Sequence, residues 1–130
     1  MRNFRELDIW KSAMELAQHI YLLCRLLPSE ERFGLSSQLQ RSAISIPSNI
    51  AEGAGRNHAR EFVQFLHVAM ASSFELETQL ILANKLGYTT ENDTHQILEK
   101  LTILQKQLNA FIKTQKSKLT PNPQLPTPNP

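Results

Sequence analysis

From Leu7 to Phe111 the apolar residues recur every three or four positions, in four runs parted by short polar or proline-bearing breaks. That spacing gathers them on one side of an α-helix, and the period-two alternation of a strand is nowhere sustained. The first run constrains the fold most. Leu7, Trp10, Met14, Ala17, Tyr21 and Cys24 form one stripe, and Ile9, Ala13, Leu16, Ile20, Leu23 and Leu27 form a second beside it. Two adjacent stripes make a wider apolar face than a helix of a small monomeric bundle needs. A chain that covers both needs another surface, so self-association is expected.

The helix of this first run is expected to span Leu7 to Leu27. Pro28 ends it, because the residue before a proline is pushed out of the helical region. Ser29 is the expected cap of the second helix, with Glu30 and Glu31 in a first turn where carboxylates suit the helix dipole. Leu35, Leu39, Ala43, Ile46 and Ile50 mark its buried face, and it runs to about Gly53. The third segment starts near Asn57 or His58. Phe62, Phe65, Ala69, Leu76, Leu80 and Ala83 turn inward, and Gly87 is the natural C-terminal cap. The fourth follows the TTEND of residues 89–93 and buries Ile97, Leu101, Leu104, Leu108 and Phe111. Short connections force neighbouring helices to run antiparallel. The expected fold is therefore all-α: an antiparallel, up-down-up-down four-helix bundle over residues 1–118. Residues 119–130, LTPNPQLPTPNP, carry five prolines and no periodicity. They are read as a disordered proline-rich tail.

One stretch breaks the rhythm: SIPSNIAEGAGR, residues 45–56. Inside a helix Pro47 lacks an N–H and crowds the carbonyl of Ala43, at a cost of roughly 3 kcal/mol. A break and restart would leave too few residues before Gly53 to make a useful helix. A continuous helix, kinked near Pro47, is the better reading, with Ser45, Ser48 or Asn49 bonding a freed carbonyl. Ser45, Ser48 and Glu52 then share a face with Arg41, while Ala43, Ile46, Ile50 and Ala54 point elsewhere. Gly53 and Gly55 supply permissive dihedrals for the turn that follows. Ser45, Pro47, Asn49, Glu52, Gly53 and Gly55 thus read as a packing and turn device, and the sharper alternative is a partner-binding surface.

Chemistry is sparse. The chain has 130 residues, enough for one domain with a core of its own, and a net charge of only +2. Residues 61–89 carry a local −2 and residues 90–118 a local +2. Cys24 is the single cysteine, so no intrachain disulfide forms, which suits a reducing, cytoplasmic setting. Its place on an apolar stripe suggests a buried, inert thiol. No apolar run reaches membrane-spanning length, and the N-terminus lacks the apolar core of a signal segment. His58 and Glu61 are one turn apart and His67 lies further along, but no second paired motif completes a bundle-core metal site. GAGR lacks the lysine of a phosphate loop, and no histidine is placed to activate Ser45 or Ser48 beside Glu52. The expectation is a protein that is not an enzyme, with no cofactor, no metal and no small-molecule substrate. Candidates for contacting RNA or an acidic partner are Arg32, Arg41, Arg56 and Arg60 around the second segment. Lys106, Lys113, Lys116 and Lys118 join them from the fourth. No interleaved aromatic platform supports base stacking.

FRELDIWKSAMELA, RFGLSSQLQRSAISIPSNIAEGAGR and REFVQFLHVAMASSFELETQLILANKLGY, with the final amphipathic helix, resemble one bacterial family. Its members are four-helix bundle proteins first described as reading frames in intervening sequences of 23S ribosomal RNA genes, the S23-like proteins. The accessory variability determinant of diversity-generating retroelements is similar. The resemblance covers residues 4 to about 115 and is most specific from Phe33 to Arg56. It implies an antiparallel bundle assembled as a ring-like homopentamer. In the retroelement branch it implies binding of a reverse transcriptase and structured RNA through basic surfaces. The tail is not a feature of the family, and Gln40 stands where a second basic residue is common beside Arg41.

Overall fold

The computed structural model describes residues 2–119; the tail expected over 119–130 lies outside them from residue 120 onward. The chain is all-helical, with α1 (Asp8–Cys24), α2 (Leu35–Ala54), α3 (Ala59–Lys85) and α4 (Glu91–Leu119). Short 3-10 turns at Phe4–Glu6 and Ser29–Glu31 complete it, and no strand occurs among the described residues. Leu119 belongs to α4, so the helix runs one residue past the expected boundary at 118.

Helix α1 packs on α2 and α4, and α3 packs on α2 and α4. Ser42 meets Gln79, Ser45 meets Ser72, and Gly53 faces Phe62 and Phe65. Numbers that rise along α2 fall along α3, so these two helices are antiparallel. The same holds for α3 and α4, where Phe62 packs edge-on to Phe111 and Glu77 meets Gln105. Ile20, Ile46, Ile50, Phe62, Leu66, Leu76, Leu80 and Leu108 are fully buried between them. Each large side chain removed from water in this way contributes about 1.5–3 kcal/mol.

The two stripes of α1 part company. Ile9, Ala13, Leu16, Ile20, Leu23 and Leu27 all enter the core. Of the other stripe, Ala17 and Cys24 are buried and Trp10 is half-buried, while Met14 (40%) and Tyr21 (44%) stay exposed.

The connection between α1 and α2 differs from the expectation. Helix α1 stops at Cys24, and Leu26 and Leu27 then donate to the carbonyls of Leu23 and Cys24 as the chain tightens before Pro28. Ser29 caps nothing; it opens the 3-10 turn, and α2 begins only at Leu35. The first turn of α2 is satisfied by Glu31 instead. Its Oε1 accepts from the Leu35 N–H at 2.9 Å, and its Oε2 accepts from the Tyr88 hydroxyl at 2.9 Å. One carboxylate thus ties the start of α2 to the turn that ends α3. That turn follows the sequence reading: Gly87 has φ +80, Gly87 N–H bonds the Asn84 carbonyl, and Tyr88 N–H bonds the Ala83 carbonyl. This is the Schellman arrangement, which a glycine enters without strain.

The Leu35 N–H, and after it the Tyr88 hydroxyl, hold the Glu31 carboxyl below its ordinary range. A carboxylate with a lowered folded value adds stability above its unfolded value and loses it as pH falls through the folded one. Glu31→Ala therefore lowers the melting temperature at neutral pH, and the gap to wild type narrows below about pH 4.3. Thermal melts of both proteins from pH 7 to pH 3 check this; a gap that holds constant with pH removes the carboxylate from the account.

Candidate functional site

Helix α2 passes through Pro47 without a break, which excludes the restart. Asn49 lies two residues on, and its Nδ2 donates to the Ser45 carbonyl at 2.7 Å and to Ser45 Oγ at 3.0 Å. Asn49 thus buttresses the backbone beside the proline, but the carbonyl that Pro47 leaves without its helical donor is that of Ala43, which none of the three expected side chains bonds. Ser45 shares the expected face with Arg41, Ser48 and Glu52 but lies at its edge against α3. Arg41, Ser48 and Glu52 are exposed, but Ser45 is half-buried and its Oγ lies 2.7 Å from Ser72 Oγ on α3. Ser42 Oγ donates to Gln79 Oε1 at 2.7 Å one turn away. A seam of small hydroxyl side chains therefore joins α2 to α3. No pattern within α2 announces it, because its partners, Ser72 and Gln79, sit in another segment.

The glycines need correction. Gly53 is helical, so dihedral freedom is not its role. A Cβ there would fall 2.7 Å from Phe65 Cβ, 2.9 Å from Phe62 Cδ1 and 3.3 Å from the Phe62 carbonyl oxygen. Gly53 exists for close approach of α2 and α3. Gly55 follows the helix with φ −81 and ψ −6, which any residue adopts, and a Cβ there meets only ordinary contacts. Cys24 is buried, its Sγ donating to the Ser36 carbonyl at 3.7 Å, and burial pushes the thiol up. Among the described residues no group of three or more His, Cys, Asp or Glu is gathered as a metal would require. His58 and His67 are exposed, and His95 lies 3.5 Å from Glu99 at the surface.

Two surface features flank the seam. The first is an apolar groove of about 910 Å³ between α1 and α2, lined by Trp10, Met14, Tyr21, Leu22, Ile44 and Pro47 among others. The ring of Pro47 is buried and joins the seam to this groove. The second is a cationic end. Arg60 and Leu119 border one shallow depression, and Asp8 and Thr114 border another. The end of α4 therefore meets the starts of α3 and α1. Arg56, Arg60, Lys113, Lys116 and Lys118 gather here, joined by Arg2 and Arg5 of the N-terminal segment. Glu6, Asp8, Glu52 and Glu61 are the acids nearby, so cations are in excess.

The candidates scattered along the chain are thus regrouped. Arg32 lies at the opposite end, its guanidinium 5.1 Å from the Phe33 ring centroid, and Arg41 and Lys106 are exposed along the flanks. Arg56 is partly engaged, paired with Glu52 at 3.0 Å and 4.8 Å from the centre of the Phe65 ring. Arg2 was not singled out by sequence. Its N–H donates to the Ala54 carbonyl at 3.2 Å, and its guanidinium lies over Phe62 and donates to Gln115 at 3.3 Å. Its fixed position is tertiary, so no local spacing signals it. Among the described residues no helix is long and apolar enough to cross a membrane.

The chain is thus a small four-helix protein whose second helix carries a proline and meets the third through polar side chains. The model of the 23S rRNA-intervening sequence protein family matches residues 5–110, and the chain belongs to that family. It is similar to the 1.70 Å crystal structure of a protein with unknown function from the S23 ribosomal protein family of Bacteroides thetaiotaomicron VPI-5482. The two share 29% identity with a TM-score of 0.75, over 81% of this chain and 98% of that one. No curated protein sequence matches the chain.

Gly53→Ala tests the seam. Alanine gains about 1 kcal/mol of helix propensity over glycine. Overpacking against backbone and Cβ atoms, which cannot swing aside, costs about 1–3 kcal/mol. The net expectation is a lower denaturation midpoint, with Gly55→Ala unchanged or slightly stabilised. Urea unfolding of the two variants measures both, and a stabilised Gly53→Ala contradicts the close-approach account.

Proposed function

We propose that this protein is a non-enzymatic, self-associating adaptor that presents a cationic surface to structured RNA. The observation that carries the reading is the convergence of Arg56, Arg60, Lys113, Lys116 and Lys118 on one end of the bundle. Backbone phosphates are recognised by clustered lysine and arginine, and each contact releases counterions. A single chain of net charge +2 offers few contacts, so assembly multiplies them. Self-association is supported by apolar side chains left exposed on two different faces, Met14, Tyr21 and Leu22 on α1 and Phe74 and Ile81 on α3. Contact between unlike faces closes into a ring when the rotation allows it. The number five rests on the family resemblance alone, as does a reverse transcriptase as the alternative, protein partner.

Light scattering at micromolar concentration is expected to give a multiple of 14.8 kDa. A mass of one chain refutes assembly, and a dimer or tetramer refutes only the pentamer. Filter binding of a structured RNA across a salt series tests the surface. Arg60→Ala and Lys113→Ala are expected to weaken binding, each reducing the salt slope by roughly 0.9 where one duplex phosphate contact is lost. Arg32→Ala, at the far end, is expected to leave both unchanged. Absence of wild-type binding at low salt removes RNA and leaves the protein-partner and purely structural readings.

A further inference from the structure

Between the end of α1 and the start of α2 lies a cavity of about 420 Å³, at the end of the bundle away from the clustered cations. Its lining includes Arg25, Ser29, Arg32, Ser36 and Gln40, with the buried Cys24 thiol among them. Tyr21, at the rim, is the residue it shares with the apolar face of α1. No carboxylate lines the cavity, although Glu30 and Glu31 are close in the chain. The Glu31 carboxylate is engaged by the Leu35 N–H and the Tyr88 hydroxyl. Among the described residues neither Arg25 nor Arg32 forms an ion pair, and the recorded contact of the Arg32 guanidinium is the Phe33 ring.

The hydrogen-bonding capacity left around this cavity is mainly that of donors. Four backbone carbonyls beside it are already taken. Cys24 accepts from the Leu27 N–H, Pro28 from the Glu31 N–H, Ser29 from the Arg32 N–H, and Ser36 from the Cys24 thiol. Ser36 stands in the first turn of α2, where N–H groups find no acceptor inside the helix and form the positive end of its dipole. We propose that this cavity binds a phosphate dianion between Arg25 and Arg32, free or as the monoester of a small soluble metabolite.

The donor set selects among anions. Two guanidiniums present forked donors, and the hydroxyls of Ser29 and Ser36 add to them. A phosphate monoester brings three acceptor oxygens and a charge of about −1.5 to −2 at neutral pH. A carboxylate brings two oxygens and one charge. A phosphodiester inside an RNA strand also carries one charge, so either leaves part of the donor set without a partner. The cavity volume falls within the range of about 300–1,000 Å³ typical of small-ligand sites. The site goes beyond the adaptor reading and is separate from the RNA surface, because Arg60 and Lys113 stand at the other end of the bundle. The ligand acts here as a bound effector, since no group is placed to cleave or transfer it.

Cys24 is the single cysteine, so its alkylation reports on this cavity. Its reaction with iodoacetamide, a neutral reagent, is followed by intact mass on the full chain at constant ionic strength. Orthophosphate and glycerol phosphate are each expected to slow the reaction saturably, and calorimetry is expected to give a matching Kd for each. Arg25→Gln and Arg32→Gln are expected to weaken binding by about tenfold or more, as loss of a charge-assisted contact does. Arg60→Gln is expected to leave it unchanged. Arg25 and Arg32 are exposed, so both variants are expected to keep the wild-type melting temperature without ligand. Tighter binding of the ester supports the site as one for a phosphorylated metabolite, and equal or weaker binding supports it as one for orthophosphate. Absence of saturable protection at millimolar phosphate overturns the proposal. Equal protection by acetate overturns it too, as does binding that survives both substitutions. RNA binding does not enter these readouts, so the adaptor reading stands or falls separately.

Discussion

No Cβ fits between α2 and α3 at Gly53, and the rest of the bundle is arranged around that approach. With Phe62 and Phe65 against a bare backbone, the two helices lie close enough for small hydroxyls to meet across the gap. Ser45 reaches Ser72 and Ser42 reaches Gln79 at hydrogen-bond distance. Larger residues at these positions would hold the helices apart, and unpaired ones would leave buried polar atoms at a cost of about 1–3 kcal/mol each. The seam therefore fixes register as well as distance. Its partners specify one alignment of α2 on α3, and a sliding apolar interface would not.

Pro47 belongs to the same device. A proline in mid-helix removes one backbone bond, and Asn49 secures the adjacent Ser45 carbonyl. The side chain turns away from α3 and towards α1, so one short motif addresses both neighbours of α2. Its polar members build the seam, and its proline helps to shape the groove.

Helix existence and core faces were legible because they rest on local spacing. Ile9 to Leu23 on α1 and Ile97 to Leu108 on α4 bury as their periodicity requires. Gly87 was legible because a Schellman turn is local too. The misreadings share a tertiary cause. Ser29 looks like a cap, but the carboxylate that satisfies α2 is Glu31, anchored by Tyr88 from a distant turn. Gly53 looks like a turn residue because its reason, the Phe62–Phe65 face, lies in another helix. The candidate surface was legible as a set of cations but not as a place. Arg32 and Arg56 flank the same helix yet stand at opposite ends of the bundle. Arg56 and Lys113, far apart in the chain, share one end because α3 folds back and α4 returns.

The central claim is that the α2–α3 seam is the cooperative unit on which the bundle depends. Native-state hydrogen exchange measures it most directly, because amides in the most stable unit exchange only through global unfolding. The account predicts that the amides of Ile46 and Ile50 to Gly53 on α2, and of Leu66 to Leu76 on α3, exchange at the slowest and a common rate. Early, independent exchange of α2 around Pro47, while α3 stays protected, would contradict it.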